Sequence, residues 1–400
     1  MKTLRERWLA PPEPGYAAAG DVLRVVCILM VGWYHIWQQS WLFPALKIGG
    51  CWINLAPFVR SGYMFVDMML ALSGFLCYLP WANDSQRPAG AFYLRRALRI
   101  LPSYWLCLMV MLIFALTGPD AVGMPRAGLD LLAHLGFVQN LWVFSYTATK
   151  MNVVLWTLAV EVQFYLLLPV LAPVFRRRPL VTWAVMTAAG LSFMFLWTAP
   201  MADTTLFVNR LPNMLVVYAN GMLAAHVYAQ VCKVDAHRAI VALCGLILAG
   251  ASVWTAGMIL VRQSRVSGYD ALRLGQLRWR WLFSLCASGF LLGGSVTFAP
   301  IRRIIDNRVM RFLSGVSFNF YIWHQWLAVK LKQWRIPAYR AAENPNMAGE
   351  MPWQLHYTLL CFFAALALAI LVTYLMEKPG AKYGQRLCDA VKAKLEISKG

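Results

Sequence analysis

The sequence predicts an all-α fold, a polytopic membrane helix bundle of about ten transmembrane helices with both termini in the cytoplasm. Hydrophobic residues make up 60% of the 400-residue chain, charged residues only 14%, and the mean hydropathy is +0.55. An ordinary soluble domain carries charge on about a quarter of its residues. Long apolar stretches recur along the chain, and Lys and Arg cluster between them. Composition, segment length and charge placement therefore all indicate a multi-pass membrane protein.

The chain contains ten apolar segments of the length that crosses a bilayer, about 20 residues. They cover approximately residues 22–41, 58–80, 99–117, 152–175, 180–198, 211–230, 238–261, 281–299, 311–332 and 356–377. A shorter apolar stretch, residues 129–144, includes His134, Gln139 and Asn140. Its length and polar side chains favour an interfacial or re-entrant helix over an eleventh span.

Basic clusters set the predicted orientation. Lys and Arg follow the second, fourth, sixth, eighth and tenth spans, and short cytoplasmic loops are enriched in these residues. This places a cytoplasmic segment at residues 1–20, the membrane domain at 21–378 and a basic cytoplasmic tail at 379–400. The predicted loop at residues 262–280 disagrees, because it carries five arginines on the far side. Either the local boundaries are wrong or this loop faces anionic lipid or an acidic ligand, and we favour the second.

The charge and cysteine content exclude several classes of protein. A net charge of +20 would suggest nucleic acid for a soluble chain, but here anionic lipid headgroups account for basic residues between apolar spans. Membrane lipid, and no nucleic acid, is the expected partner. Six of the nine cysteines fall within apolar spans and none forms a CxxC pair. Neither a disulfide framework nor a metal site is predicted.

The first span carries two ionisable residues, Arg24 and His35. Eleven residues on an α-helix are just over three turns, so both lie on nearly the same face, roughly 16 Å apart along the axis. Lipid cannot solvate a charged or hydrogen-bonding group. An ionisable residue within a membrane span is therefore a functional-site hypothesis.

Three further polar residues lie at a depth similar to that of His35. Asp67, Glu161 and His324 belong to three other spans, and the helical rise places all four roughly 9–14 Å from the outer ends of their spans. Each alone could be a buried hydrogen-bonding residue. Together they predict a shared polar cavity in which His35 is a general base held by Asp67 or Glu161.

The cytoplasmic side offers a different chemistry. Arg96 and Arg99 lie at positions i and i+3, on one face of a helix at the inner membrane boundary. An arginine pair binds phosphate with planar, charge-assisted hydrogen bonds, although a plain cluster of positive charge on the inner side would look the same. A coenzyme A thioester would fit the pair, since its long arm could carry an acyl group inward. ATP or lipid phosphate fits nearly as well.

Several stretches together resemble one known family. They are the pair Arg24 and His35, GYMFVDMMLALSGFL from Gly62, RRALRILPSYW from Arg95, LWTLAVEVQFYLLLP from Leu155, SFNFYIWHQWL from Ser317 and YLMEKP from Tyr374. In this order and spacing, the sequence resembles the acyltransferase-3 family of integral membrane O-acyltransferases across nearly the whole chain. The resemblance implies transfer of an acyl group, most often acetyl, from cytosolic acyl-CoA to a hydroxyl of a carbohydrate, glycolipid or similar acceptor.

The resemblance also implies roles for individual residues. His35 becomes the catalytic histidine, Arg24 its companion, and Arg96 and Arg99 the arginines that hold coenzyme A. We assign catalysis to His35, Glu161, Asp67 and Arg24, acyl-CoA binding to Arg95, Arg96 and Arg99, and acceptor binding to His324, Trp37 and Tyr321. No metal is expected, and the predicted location is the plasma membrane of a bacterium. A homo-oligomer is compatible with the sequence.

Two departures and one alternative accompany this prediction. Met68 and Met69 follow Asp67, where many relatives have phenylalanines, so the cavity wall is expected to be softer. The chain is expected to be the stand-alone form, without the C-terminal hydrolase-like domain of many relatives. The alternative is a proton-coupled transporter that uses the same buried histidines and carboxylates, although the inverted repeats common in transporters are not visible.

Overall fold

A computed structural model describes residues 7–83, 88–118, 121–234, 236–339, 345–347, 349–384 and 386. Most of the predicted tail at 379–400 and the first six residues of the predicted N-terminal segment lie outside these ranges. The helices are α1 Ala19–Ser40, α2 Ala56–Arg60, α3 Phe65–Asn83, α4 Ala89–Thr117, α5 Met124–Leu135, α6 Trp156–Arg177, α7 Pro179–Ser192, α8 Leu211–Val231, α9 Arg238–Gln263, α10 Tyr269–Val296, α11 Ala299–Ile305, α12 Arg308–Gln333 and α13 Met351–Val372. Turns of π-helix, Phe193–Thr198 and Thr373–Glu377, extend α7 and α13.

The bundle has the predicted all-α, polytopic architecture. Within the described ranges, eight helices are long and apolar enough to cross a membrane. The other two predicted spans correspond to α10 and α12, which have 28 and 26 residues but carry more polar side chains. Two of these polar side chains point into protein, since Arg280 is fully buried and His324 is 1% exposed. Polar residues in membrane helices are tolerated where they face the bundle interior.

The predicted basic loop at residues 262–280 is wrong. Helix α9 continues to Gln263 and α10 begins at Tyr269, so Arg273 and Arg280 are helical residues and only residues 264–268 connect the two helices. The start of this span was predicted too late in the chain, because the arginines lower the mean hydropathy of the first three turns of α10. The alternative explanation, a wrong local boundary, is the correct one.

The apolar stretch at residues 129–144 does not form a span. Helix α5 has 12 residues, which is about 18 Å of helix and too short to cross the hydrocarbon core. Short 3₁₀ turns follow at Gln139–Leu141 and Val143–Ser145. The polar side chains are paired internally, since His134 Nδ1 lies 3.2 Å from Asp130 Oδ1 and Gln139 Nε2 donates to the Leu155 carbonyl oxygen at 2.9 Å.

Helix α3 forms the centre of the bundle and packs most extensively against α8. A methyl group on Gly221 would lie 2.1 Å from the Ala71 carbonyl oxygen, and one on Gly74 would lie 3.0 Å from the Tyr218 carbonyl oxygen. Glycine therefore allows the two backbones to touch. Close backbone approach through small residues is a principal source of van der Waals packing between membrane helices.

Helix α1 lies between α12 and α3. A Cβ atom on Gly32 would meet Phe320 Cε1 at 2.8 Å and His324 Cδ2 at 3.9 Å. The absence of a side chain at Gly32 thus brings α12 close to α1, one turn before His35. This contact places a histidine of α12 beside the histidine of α1.

Among the described residues, a two-stranded hairpin accompanies the helices. Strands β1 Ala45–Ile48 and β2 Cys51–Asn54 pair antiparallel, with Ile48 opposite Cys51. Gly49 and Gly50 form the connection with φ angles of 54° and 86°, the positive values that a two-residue hairpin turn requires. This hairpin was not predicted from the sequence, although a Gly-Gly pair between two short apolar stretches is typical of a hairpin turn.

Candidate active site

The two ionisable residues of α1 line two different cavities. Arg24 belongs to the first, which we call the arginine cavity, of about 90 Å³; its wall includes Arg24, Ser73, Arg96, Arg99, Thr157, Glu161, Tyr165 and Tyr321. His35 belongs to the second, which we call the histidine cavity, of about 340 Å³; its wall includes Tyr34, His35, Gln38, Tyr63, Tyr146, Asn209, Tyr269, Arg273, Gln276, Tyr321 and Gln325. Helix α1 therefore connects two chemically distinct sites.

The arginine cavity has the composition of an anion site. Arg24, Arg96 and Arg99 contribute three guanidinium groups to its wall, against the single carboxylate of Glu161. Arg99 Nε also lies 3.7 Å from Glu377 Oε1. Arginine is charged at all physiological pH values, so the wall keeps an excess of positive charge even when both carboxylates are counted.

A second basic pocket adjoins the arginine cavity. It measures about 210 Å³ and is lined by Cys77, Pro80, Trp81, Phe92, Arg95, Arg96 and Arg99. Cys77, Arg96 and Arg99 line both spaces, so the two spaces are neighbours. The structure thus brings together the three arginines predicted to bind the donor, and it adds two aromatic rings beside them.

Glu161 is held inside the arginine cavity. Ser73 Oγ donates to Glu161 Oε1 at 2.5 Å, and the Tyr165 hydroxyl donates to the same oxygen. The Tyr165 ring also lies under the Arg96 guanidinium, 5.2 Å from it. Tyr165 was missed in the sequence, although it is one helical turn after Glu161 and shares its face.

Of the two methionines that follow Asp67, Met69 lines the arginine cavity, whereas Met68 is in the buried core.

The nearest polar partner of His35 is a second histidine. His35 Nδ1 lies 2.8 Å from His324 Nε2. His324 Nδ1 lies 2.7 Å from the Tyr321 carbonyl oxygen and 3.2 Å from that of Phe320. Carbonyl oxygens only accept, so Nδ1 of a neutral His324 carries the proton and its Nε2 accepts from His35. His35 then holds its own proton on Nδ1, and its Nε2 has the free lone pair of a base.

Asp67 has a different partner from the one predicted. Asp67 Oδ1 accepts from Arg280 Nε at 3.2 Å, and both side chains are fully buried. Arg280 also donates to the Val208 carbonyl oxygen at 2.6 Å and to Asn209 Oδ1 at 3.5 Å. The pair therefore neutralises two charges in the core and fixes the segment before α8. Arg280 was missed because the sequence analysis placed it in a loop.

The predicted support of His35 by a carboxylate is thus corrected. Asp67 is paired with Arg280 and Glu161 lies in the arginine cavity. Among the hydrogen bonds and ion pairs of the described residues, His35 is joined to His324 and to neither carboxylate. Similar depth in the membrane did not mean contact, because the helices present these side chains to different neighbours.

The histidine cavity is lined by aromatic rings and amides. Tyr321, assigned to acceptor binding, is in its wall. His324 lies behind His35 and is 1% exposed. Trp37 stacks on Tyr34, with ring centroids 6.4 Å apart, and it is not among the residues that line the cavity. Of the predicted acceptor residues, only Tyr321 thus faces the cavity directly.

A family model described as an acyltransferase domain, that of the acyltransferase-3 family, matches residues 18–376. The chain belongs to this family. The match contains both cavities, every residue assigned to catalysis or binding, and all of α1. Membership in the acyltransferase-3 family also favours an acyltransferase over the alternative of a transporter.

Three relatives of known name are similar to part of the chain. Nodulation protein 10 of Rhizobium leguminosarum is 28% identical over 170 residues, which is 39% of this chain and 44% of the relative. Peptidoglycan O-acetyltransferase OatA of Listeria monocytogenes is 24% identical over 172 residues, 40% of this chain and 25% of the relative. O-acetyltransferase OatA of Staphylococcus aureus is 26% identical over 169 residues, with 39% and 25% covered.

The chain therefore aligns with less than half the length of each of these relatives. No solved structure matches it significantly.

Proposed function

We propose that this protein is a membrane O-acyltransferase that moves an acyl group, most often acetyl, from acyl-CoA to a hydroxyl group of a carbohydrate or glycolipid. The observation that carries the proposal is the pair of cavities at the two ends of one face of α1. One has the arginines that suit a phosphorylated donor, and the other has a histidine with a free basic nitrogen.

The donor would occupy the arginine-lined spaces. The basic pocket, with Arg95 and two aromatic rings in its wall, suits the phosphates and adenine of coenzyme A. The neighbouring arginine cavity suits the thioester end, near Arg24 and Glu161. The basic clusters favour the cytoplasm for this side, which is where acyl-CoA is available. Arg24 would stabilise negative charge that develops on the thioester oxygen.

The acceptor would occupy the histidine cavity. Tyr34, Tyr63, Tyr146 and Tyr269 present rings that can cover the apolar faces of a sugar. Amide side chains nearby both donate and accept hydrogen bonds, as a polyhydroxylated ligand requires. The names of two relatives, peptidoglycan O-acetyltransferase and O-acetyltransferase, support acetyl as the group and a cell-envelope glycan as the acceptor. A bacterial plasma membrane is the matching location.

The reaction would then proceed in one displacement. Nε2 of His35 takes the proton of the acceptor hydroxyl as its oxygen attacks the thioester carbonyl carbon. The carbon–sulfur bond breaks, the coenzyme A thiolate leaves, and the proton returns from His35 to the sulfur. His324 keeps the His35 proton on Nδ1 throughout, so that the basic nitrogen faces the cavity.

An acyl-transfer assay tests the proposal. Inside-out vesicles that contain the protein receive acetyl-labelled acetyl-CoA, and the label in membrane glycan or lipid is measured. We expect transfer by the wild-type protein and a loss of about 10²–10⁴-fold in a folded His35→Ala variant, the usual contribution of a general base. Full activity of this variant would remove the proposed role of His35. Movement of a solute without any acyl transfer would instead indicate a transporter.

A further inference from the structure

The two cavities meet at one aromatic side chain. Tyr321 is in the wall of both the arginine cavity and the histidine cavity. Its two hydrogen-bond partners divide between the two sides, since Thr157 lines the arginine cavity and Val154 the histidine cavity. Tyr321 is 6% exposed. Tyr321 therefore lies between the proposed donor and acceptor sites.

The Tyr321 hydroxyl group is hydrogen-bonded to Thr157 of α6 and to Val154 just before this helix. Thr157 Oγ1 donates to the phenol oxygen at 2.9 Å, and the phenol donates to the Val154 carbonyl oxygen at 3.3 Å. The backbone beside it has a separate attachment, because Asn152 Nδ2 donates to the Ile322 carbonyl oxygen at 2.7 Å. Rotation of the Tyr321 side chain would break the contacts of its hydroxyl group and would leave this backbone attachment to Asn152 intact.

We propose that the Tyr321 side chain is a movable partition that controls whether the acyl group is transferred or hydrolysed. In the described position, the ring keeps water in the histidine cavity away from a thioester in the arginine cavity. When it rotates away with both substrates bound, the acceptor hydroxyl reaches the thioester carbonyl. This inference rests on the proposed function and adds a residue that selects against water.

The reaction that the partition prevents has a defined outcome. Water adds to the thioester carbonyl carbon, the carbon–sulfur bond breaks, and the products are the free carboxylic acid and the coenzyme A thiol. Acyl-CoA consumed without acceptor therefore measures failure of the partition. The amount of acylated acceptor measures how often the partition opens with both substrates bound.

The first test compares Tyr321→Ala with Tyr321→Phe in purified protein. Without acceptor, we expect Tyr321→Ala to hydrolyse acetyl-CoA at least about tenfold faster than the wild type. Tyr321→Phe keeps the ring and loses only the hydroxyl contacts, so its hydrolysis should rise less than about threefold. The thermal unfolding midpoint of each variant shows whether it is folded. No increase in hydrolysis by folded Tyr321→Ala overturns the proposal.

The second test does not depend on catalysis. Cys77 is a free cysteine in the wall of the arginine cavity. A membrane-impermeant methanethiosulfonate is applied from the histidine side of oriented vesicles, and Cys77 modification is followed by peptide mass spectrometry. We expect at least about fivefold faster labelling in Tyr321→Ala than in the wild type. The matched control is Tyr357→Ala, because Tyr357 is equally large and fully buried but lines neither cavity.

The two tests separate the partition from the activity. Unchanged protection of Cys77 in Tyr321→Ala overturns the partition even if acyl transfer is confirmed. Faster labelling specific to Tyr321→Ala supports the partition even if no variant transfers an acyl group, a result that would overturn the proposed function alone. Equal labelling in Tyr321→Ala and Tyr357→Ala indicates general loosening of the bundle and contradicts a specific role for Tyr321.

Discussion

His35 Nδ1 and His324 Nε2 are 2.8 Å apart, and a hydrogen bond from His324 Nδ1 to the Tyr321 carbonyl oxygen continues the chain. The backbone carbonyl can only accept a hydrogen bond, so it determines which nitrogen of each neutral imidazole ring carries the proton. A carboxylate in the place of His324 would both orient His35 and stabilise its imidazolium. A neutral histidine orients the base and contributes less charge stabilisation. The arrangement predicts that geometry, more than ion pairing, makes His35 effective.

Replacing His324 tests this relationship. His324→Leu removes the acceptor for His35 Nδ1, so the wrong tautomer becomes accessible, and we expect kcat to fall about 10²-fold with KM for acyl-CoA unchanged. His324→Gln offers an amide oxygen as acceptor and should recover a large part of the loss. Steady-state kinetics with both variants give the comparison. Equal kcat values for the two variants would show that His324 does not act through its hydrogen bond.

Arg96 and Arg99 are expected to contribute to the affinity for acyl-CoA. Arg96→Ala and Arg99→Ala each remove charge-assisted hydrogen bonds to phosphate, and such bonds contribute about 1.5–3 kcal/mol. KM for acyl-CoA should rise about 10- to 100-fold, and the increase should shrink at high salt, which screens the remaining arginines. Arg308→Ala is the control, because Arg308 is exposed and lines neither the basic pocket nor the arginine cavity. A KM as in the wild type for both Arg96→Ala and Arg99→Ala would contradict the proposed phosphate site.

The buried pair of Asp67 and Arg280 predicts a stability effect. Removing one partner leaves an uncompensated buried charge, which typically costs about 3–5 kcal/mol. Asp67→Asn and Arg280→Met should therefore each lower the thermal unfolding midpoint in detergent. The double variant should lose less stability than the sum of the two single losses, because neither charge is then left unpaired. Strict additivity of the two substitutions would indicate that the side chains do not interact.

The glycine beside the histidines predicts an effect on activity. The Cβ atom of Gly32→Ala would meet Phe320 Cε1 at 2.8 Å, so α12 or its ring must move and the contact between the histidines is disturbed. We expect kcat to fall about tenfold or more, since small displacements of catalytic groups have large costs. Gly315→Ala is the matched control on α12, because its Cβ meets nothing within 4 Å. Similar activity of the two variants would contradict this account.

The sequence predicted the number and places of the long helices because the membrane demands long apolar segments. The prediction failed at α10, where arginines near its start concealed the true beginning of the helix. Arg280 can be buried inside the bundle because Asp67, more than 200 positions earlier in the chain, neutralises its charge. Hydropathy over a local window cannot include such a partner.

The site was predictable in its residues and less so in their pairing. Arg24 and His35 lie at opposite ends of one helical face, and the arginines of α4 gather around one pocket. The partners of Asp67, Glu161 and His35 depend on how each helix is rotated about its axis. That rotation is set by tertiary contacts such as Gly32 against Phe320, and depth in the membrane does not report it.

The position of Tyr321 between the two cavities has a consequence for the host cell. A lasting connection between the two cavities would be an aqueous path across the bilayer, through which protons and ions could dissipate the membrane potential. The phenol ring is thus also part of the permeability barrier. Opening must be brief and coincide with bound substrates that plug the passage, so the rate at which the ring moves sets an upper limit on turnover and on leakage alike.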